Sequence, residues 1–185
     1  MNMEYVKLFK YQKIIKYFLI TFLGTILLAI SAKIKIPFYP VPMTMQTFVV
    51  IALGISFGYK ISVATVSLYL IEGILGLPVF SNSPEKGVGL IYFTGPTMGY
   101  LIGFLFATFL SGYFNLNKNI LIIFIKLILS VSIIYILGLF WLGNLIGWEK
   151  PIFDIGAKPF LLAELFKILI LTMLTKKLIS FRKFI

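Results

Sequence analysis

Two strongly apolar stretches of the chain are joined by Ile36-Pro37-Phe38-Tyr39-Pro40-Val41-Pro42-Met43-Thr44-Met45-Gln46-Thr47. Proline fixes φ and removes a backbone donor, so this segment is predicted to be an irregular loop. Irregular backbone at a membrane boundary is tolerated only where protein or water satisfies its polar groups. We therefore expect the loop to form part of a site.

The composition indicates an integral membrane protein. The 185 residues are 60% hydrophobic and 12% charged, with a mean hydropathy of +1.03, whereas a soluble domain carries about 25% charged residues. At about 20 residues per crossing, this length allows about six helices in one domain, 1–185. The first apolar stretch is interpreted as a span rather than a cleavable signal, because no small-residue cleavage site follows it.

Several function classes are excluded by residues that the sequence lacks. It contains no cysteine and no histidine, which excludes disulfides, thiolate or imidazole metal ligands and catalysis by either residue. It has no Walker-type phosphate loop, so ATP hydrolysis by this chain is not expected, and we expect no cofactor. The net charge of +11 does not indicate a nucleic-acid partner, because the basic residues lie at segment ends.

The hydropathy pattern predicts an all-α bundle of six transmembrane helices. The short turn Gly58-Tyr59-Lys60 predicts a helical hairpin, and Pro96 and Pro159 are placed to open later helices. An amphipathic lead with Lys7, Lys10, Lys13 and Lys16 is expected to lie on the membrane surface. The predicted spans are 17–33, 43–57, 61–75, 96–113, 120–141 and 160–175.

The distribution of basic residues predicts the orientation. Six crossings place both termini on one side, which also carries the N-terminal lysines, Lys60, Lys118 and the basic C-terminal tail. The opposite ends of the spans carry five basic residues, which are Lys33, Lys35, Lys86, Lys150 and Lys158. By the positive-inside rule, both termini are expected to be cytoplasmic, in a multi-pass protein of the cell membrane. The proline loop then faces outward.

Charged residues inside spans are candidates for a functional site. Glu164 and Lys167 are three residues apart on one helical face, so they either neutralise each other or form a functional surface. Glu72, near a helix end, is either a site residue or a boundary residue. Lys126 is interpreted as snorkelling toward the cytoplasmic interface.

Six polar residues are expected at one depth, in the outer third of the bundle, which favours an outward-facing pocket. Aromatic side chains of the same loops either wall that pocket or form an ordinary interfacial belt. The polar residues are Gln46, Glu72, Asn82, Lys86, Glu164 and Lys167, and the aromatic residues are Phe38, Tyr39, Tyr92 and Tyr100.

Three ordered motifs carry a family resemblance. They are Pro40-Val41-Pro42-Met43-Thr44-Met45-Gln46-Thr47, Gly73-Ile74-Leu75-Gly76-Leu77-Pro78-Val79-Phe80 and Gly95-Pro96-Thr97-Met98-Gly99-Tyr100-Leu101-Ile102-Gly103-Phe104. Together they resemble the signatures of the BioY family, the biotin-binding S components of energy-coupling factor (ECF) transporters. The resemblance implies an S-component-like bundle that captures biotin outside. It also implies uptake driven by one transmembrane coupling protein and two ATPase subunits.

The resemblance also implies residue roles. Family members commonly carry an aspartate and, three residues later, a lysine at the start of helix six, which Glu164 and Lys167 match with one departure. The carboxylate suits the ureido N–H groups of biotin, and the lysine suits its carboxylate. Asn82 is predicted to meet the ureido carbonyl and Lys86 to be a second partner of the carboxylate. Gln46, Tyr92 and Tyr100 complete the predicted binding set.

Small residues of the first helix are candidates for docking a partner helix. Thr25 and Ala29 are four residues apart, and Ala32 follows on a neighbouring face, which allows close approach. Small residues in a membrane helix more often serve ordinary packing within the chain, and that alternative stays open here.

Two other functions remain open. An ion- or proton-coupled carrier of a small vitamin-like anion would use Glu72, Glu164 and Lys167 as a relay. A membrane enzyme would use Glu72 and Glu164 as an acid–base pair, but no nucleophile or phosphate cradle accompanies them. We therefore expect a binding subunit rather than an enzyme.

Overall fold

A computed structural model describes the backbone of residues 3–37 and 39–184, and the side chains from residue 11 onward, Phe38 excepted. The described chain is mostly α-helical, with one two-stranded sheet. Short 3₁₀ segments occupy Gly89–Thr94, Lys158–Phe160 and Phe181–Phe184. The main elements are α1 (Met3–Lys33), β1 (Lys35–Ile36), β2 (Met43–Thr44), α2 (Gln46–Ile74), α3 (Met98–Tyr113), α4 (Ile120–Ile146), α5 (Ile152–Gly156) and α6 (Leu161–Ser180).

Helix α1 is longer than the predicted first span. It runs without a break from Met3 to Lys33, so the predicted surface lead and the span starting at Tyr17 form one continuous helix. From Tyr11 onward most of the large apolar side chains of α1 are exposed. The side chains of Lys7 and Lys10 lie outside the described residues.

Helix α2 contains the predicted hairpin. Gly58 interrupts it with φ of 71° and ψ of 167°, a conformation that glycine adopts without steric cost. The side-chain amide of Gln46 donates to the hydroxyl of Tyr69 at 2.7 Å, although the two residues are 23 positions apart. A straight helix would separate them by about 34 Å. The two halves of α2, residues 46–57 and 59–74, therefore lie side by side.

The proline loop is closed by a strand pair that the sequence did not indicate. Strands β1 and β2 pair antiparallel, with Lys35 opposite Thr44 and Ile36 opposite Met43. The amide of Met45 donates to the carbonyl of Ile34 at 3.2 Å. The helix predicted to start at Met43 therefore starts at Gln46 instead, because Met43 and Thr44 give their backbone groups to the sheet.

Three segments of the described chain are long and apolar enough to cross a membrane: Tyr11–Lys33, Gln46–Ile74 and Ile120–Ile146. The second of these is the hairpin, and Met98–Tyr113 is a shorter apolar helix. Helix α6 carries the buried charges Glu164 and Lys167. The helical fold class is confirmed, whereas six crossings and cytoplasmic termini stay predictions.

The hairpin and α3 make their closest approach beside the Gly58 turn. A Cβ added to Gly112 would overlap the backbone of Tyr59. The Arg182 guanidinium donates to the carbonyls of Ile55 at 2.9 Å and Gly112 at 3.2 Å. These carbonyls lie in last helical turns, where intrahelical partners are missing. The C-terminal segment therefore stabilises this junction.

Replacing Gly112 with alanine is expected to destabilise the fold by about 1–3 kcal/mol, because the new methyl group must push two backbones apart. The measurement is thermal unfolding of the purified protein in detergent. As a control, Ala64→Leu adds a larger group at an exposed position of the same hairpin. Equal melting temperatures for Gly112→Ala and the wild type would contradict the close packing described.

Candidate functional site

A cavity lies where the helices meet the proline loop and the loop that precedes α3. Its volume is about 50 Å³, which is below the range of about 300–1,000 Å³ usual for small-molecule sites. Its lining is largely apolar with a few polar groups, as in small-molecule sites. It is lined by Val41, Pro42, Met43, Thr44, Gln46, Thr47, Ser81, Tyr92, Thr97, Tyr100, Leu101, Phe104, Ile134, Tyr135, Phe160 and Glu164.

Most of the predicted site residues lie in or next to this cavity. Gln46, Tyr92, Tyr100 and Glu164 line it directly, and Lys167 bonds to Glu164. The other two predicted residues line a neighbouring cavity of about 250 Å³, which shares Tyr92 and Thr97 with the first. Those two residues are Asn82 and Lys86.

Glu164 is held by a network between α2 and α6. Its Oε1 accepts from the Lys167 ammonium at 2.8 Å and from the Thr47 hydroxyl at 2.8 Å. The ion pair is buried, with side-chain exposures of 8% for Lys167 and 7% for Glu164. Charge-assisted bonds of this kind offset the cost of removing both groups from water. The network therefore fixes the carboxylate at the cavity wall.

The second oxygen of Glu164, the buried Oε2, differs from the first, because no donor of the described residues meets it in ordinary hydrogen-bond geometry. The Tyr135 side chain lies beside the Glu164 carboxylate, close enough for an electrostatic interaction and a side-chain hydrogen bond, and both side chains line the cavity. A buried carboxylate oxygen without a donor is costly. The cavity therefore offers a strong acceptor for an N–H or O–H group.

The structure changes the role expected for Lys167. Its ammonium donates to Glu164, to the Thr47 hydroxyl at 3.0 Å and to the Thr44 carbonyl at 2.6 Å. An ammonium has three protons, and these three acceptors use all of them. Lys167 is also absent from the cavity lining. In the structure it supports Glu164 and anchors the proline loop, while its contact with a ligand carboxylate stays a prediction.

Gln46 and Tyr100 use polar groups for structure. The Gln46 amide donates to Tyr69, whose hydroxyl donates to the Val79 carbonyl at 3.0 Å. These two hydrogen bonds join the start of α2 to the loop that follows α2. The Tyr100 hydroxyl donates to the Gly156 carbonyl at 2.8 Å. Tyr100 therefore presents its ring, rather than a free hydroxyl, to the cavity.

The neighbouring cavity collects polar and cationic groups. The Lys35 ammonium donates to Asn82 Oδ1 at 3.1 Å, which leaves the Asn82 side-chain amide donor for another acceptor. The Lys86 ammonium lies 5.5 Å from the centre of the Tyr39 ring, within cation–π range. This cavity therefore favours an acceptor or an anion. Phe38, the other aromatic candidate of the proline loop, lies outside the described residues.

Sequence reasoning missed the role of Lys33 and Lys35, which it counted only for orientation. Lys33 donates to the carbonyls of Phe80 at 2.8 Å and Ser83 at 2.7 Å. Lys35 donates to the Ser81 carbonyl at 2.7 Å. The two lysines thus fasten the loop after α2 to the end of α1. No local pattern indicates this, because the partners are more than 40 residues apart.

Thr47 and Tyr135 were also missed. Thr47 stands inside the proline-loop motif, which was the available signal. Tyr135 lies in the middle of an apolar helix and carries no such signal. Both line the cavity beside Glu164.

The remaining charged candidates lie outside the cavity. Glu72 is half-buried near the end of α2 and lines neither cavity. The Lys126 ammonium donates to the Asn115 carbonyl at 2.8 Å, in the turn before α4. Lys126 therefore reaches toward the end of the bundle, in agreement with the snorkelling interpretation.

The structure corrects the docking prediction for two residues. Thr25 is 1% exposed and Ala32 is fully buried, so both pack inside the chain's own bundle and offer no surface to a partner helix. Ala29 is half-buried and packs against the core. Of the three, Ala29 alone keeps some accessible surface.

Comparison with known proteins points to one family. The model of the BioY family matches residues 3–183. A protein of Pyrococcus horikoshii described as a probable biotin transporter BioY is 33% identical over 76% of this chain and 82% of its own. The biotin transporter BioY of Thermotoga maritima is 33% identical over 83% of this chain and 90% of its own.

A solved structure shares the fold. It is a crystal structure described as the S-component for biotin from an ECF-type ABC transporter, with a TM-score of 0.76 and 24% identity. The match covers 91% of this chain and 93% of that chain. The family match over nearly the full length and the two similar sequences agree with this fold, and the chain therefore belongs to the BioY family.

Proposed function

We propose that this chain is a substrate-binding membrane subunit that captures biotin at the outer face of the cell membrane. Uptake is then driven by an ECF module of one transmembrane coupling protein and two ATPase subunits. The proposal includes a single domain of six membrane-spanning helices with cytoplasmic termini. It is supported by the family membership, the S-component fold and the chemistry of the cavity.

One observation carries the proposal: Oε2 of Glu164 has no donor of ordinary geometry among the described residues. Biotin contains a ureido ring with two N–H donors, and a carboxylate oxygen only accepts hydrogen bonds. Because Thr47 and Lys167 occupy Oε1, Oε2 is the atom available to the ligand. The ureido group is therefore assigned to the α6 side of the cavity.

The other end of the ligand is assigned to the neighbouring cavity. Biotin carries its carboxylate on a flexible chain, and the Asn82 amide and the Lys86 ammonium are donors in that cavity. Lys35 adds a second positive charge beside Asn82. This assignment replaces Lys167 as partner of the ligand carboxylate, because the protons of Lys167 are already used.

The apolar rings and chain of biotin require walls of matching character. Tyr92 is shared by the two cavities, and Tyr100 and Phe104 line the first. A cavity of about 50 Å³ is smaller than usual small-molecule sites, so the proposal includes displacement of a wall when biotin binds. The lining residues that do not belong to a helix are Val41, Pro42, Met43, Thr44, Ser81 and Thr97.

The purified wild-type chain in detergent is expected to bind labelled biotin at about one molecule per chain. Desthiobiotin keeps the ureido ring and the acidic chain and should displace the label, whereas riboflavin should not. The measurement is equilibrium binding with both competitors. A folded sample that does not bind biotin would contradict the proposed function.

A transport assay in vesicles distinguishes the proposed binding subunit from a stand-alone carrier. Vesicles that contain only this chain should not accumulate biotin under an ion or proton gradient. Vesicles that also contain an ECF module should accumulate it with ATP. Gradient-driven accumulation without the module would favour the carrier instead.

Glu164→Gln is expected to weaken biotin binding by about 1–3 kcal/mol, roughly fivefold to 150-fold. The glutamine oxygen is retained by the donors Thr47 and Lys167, so its NH₂ group faces the cavity. An N–H donor of the ligand then meets another donor. Binding isotherms measure the change.

Glu72→Gln is the matched control, because Glu72 lies outside both cavities. It should bind biotin like the wild type. Equal affinity of Glu164→Gln and Glu72→Gln for biotin would contradict the assignment of Glu164 to the binding site.

Lys86→Met is expected to weaken biotin binding by only about 0.5–1 kcal/mol, two- to fivefold, because the lysine is exposed. The loss should shrink at high salt, where exposed charges are screened. It should also be smaller for biotinamide, which has no negative charge. Lys150→Met removes an exposed lysine outside both cavities and serves as control; the same loss for biotin and biotinamide would contradict the assignment.

A further inference from the structure

The Thr47 hydroxyl donates to a carboxylate, whereas the Thr108 hydroxyl, which also reaches another helix, donates to the Val50 backbone carbonyl at 3.2 Å. Thr65 and Thr175 donate to carbonyls one turn back in their own helices, at 2.9 Å and 2.7 Å. This is the common pattern for threonine in apolar helices. Thr47 instead donates across the bundle, from α2 to Glu164 in α6. Its hydroxyl therefore serves a contact between two helices.

The hydroxyl also accepts while it donates. It receives a proton from Lys167 at 3.0 Å and gives its own proton to Glu164 Oε1 at 2.8 Å. Lys167 donates to the same oxygen at 2.8 Å. Two donors on Oε1 define which oxygen of the carboxylate is saturated. They leave Oε2, beside Tyr135, without a donor of ordinary geometry among the described residues.

We infer that Thr47 is a positioning residue of this site, which holds Glu164 so that a pure acceptor faces the N–H groups of the ligand. The inference rests on the proposed function, and it deepens it by stating how the site selects a cyclic urea. Without the hydroxyl, one donor to Oε1 and one acceptor of Lys167 are lost together. The carboxylate is then free to turn both oxygens toward the ammonium, and the cavity loses its acceptor.

The test compares Thr47→Val, which keeps the shape but removes the hydroxyl, with Thr47→Ser, which keeps the hydroxyl. Thr175→Val is the matched control, because Thr175 is fully buried and its hydroxyl stays within its own helix. Affinity for labelled biotin and the melting temperature without ligand are measured for all three variants. Thr47→Val should lose at least tenfold in affinity. Thr47→Ser and Thr175→Val should stay within threefold of the wild type.

Rescue by serine is the readout that a purely structural role would not give. The inference is overturned if Thr47→Val binds like Thr175→Val, or if Thr47→Ser loses as much as Thr47→Val. If Thr47→Val does not fold, Thr47→Ser still decides, since a tenfold loss there with an unchanged melting temperature would contradict a role for the hydroxyl. Failure of the wild-type chain to bind biotin would refute the proposed function itself, whereas these outcomes refute the role of Thr47 alone.

Discussion

The buried pair of Glu164 and Lys167 is the interaction on which the site depends. Removing two charges from solvent costs several kcal/mol per ion unless their hydrogen-bonding capacity is met. Here the Lys167 ammonium donates its three hydrogen bonds to Glu164, Thr47 and Thr44. These acceptors belong to α6, to α2 and to the end of the proline loop. One ion pair therefore sets the position of two helices and a loop around the cavity.

The same constraint explains the lysines at the end of α1. Loop carbonyls at a membrane boundary need donors, since an unpaired buried carbonyl is costly. Lys33 and Lys35 supply donors to the carbonyls of Phe80, Ser81 and Ser83. Glu85 lies close enough to Lys33 to interact electrostatically with its ammonium. The mouth of the site therefore gains order from the same residues.

Much of the framework could be predicted because it depends on local pattern. The hairpin at Gly58 follows from a short turn between apolar segments, and the facing of Glu164 and Lys167 follows from their spacing of three. The role of Lys167 and the buried state of Thr25 could not be predicted. Both depend on contacts between helices, such as the bond between Lys167 and Thr44, which are 123 positions apart. Periodicity shows which residues share a face but not what that face meets.

The two ends of the site differ in how they are held, and this difference has a consequence for ligand binding. The acceptor at Glu164 is buried and fixed by helices, whereas the contact of Lys35 with Asn82 is exposed. Exposed hydrogen bonds open at lower cost than buried ones. The free energy needed to enlarge a cavity of about 50 Å³ is therefore lowest at the loops. The ureido end of biotin would meet a preformed partner, and its carboxylate end would meet groups that rearrange around it.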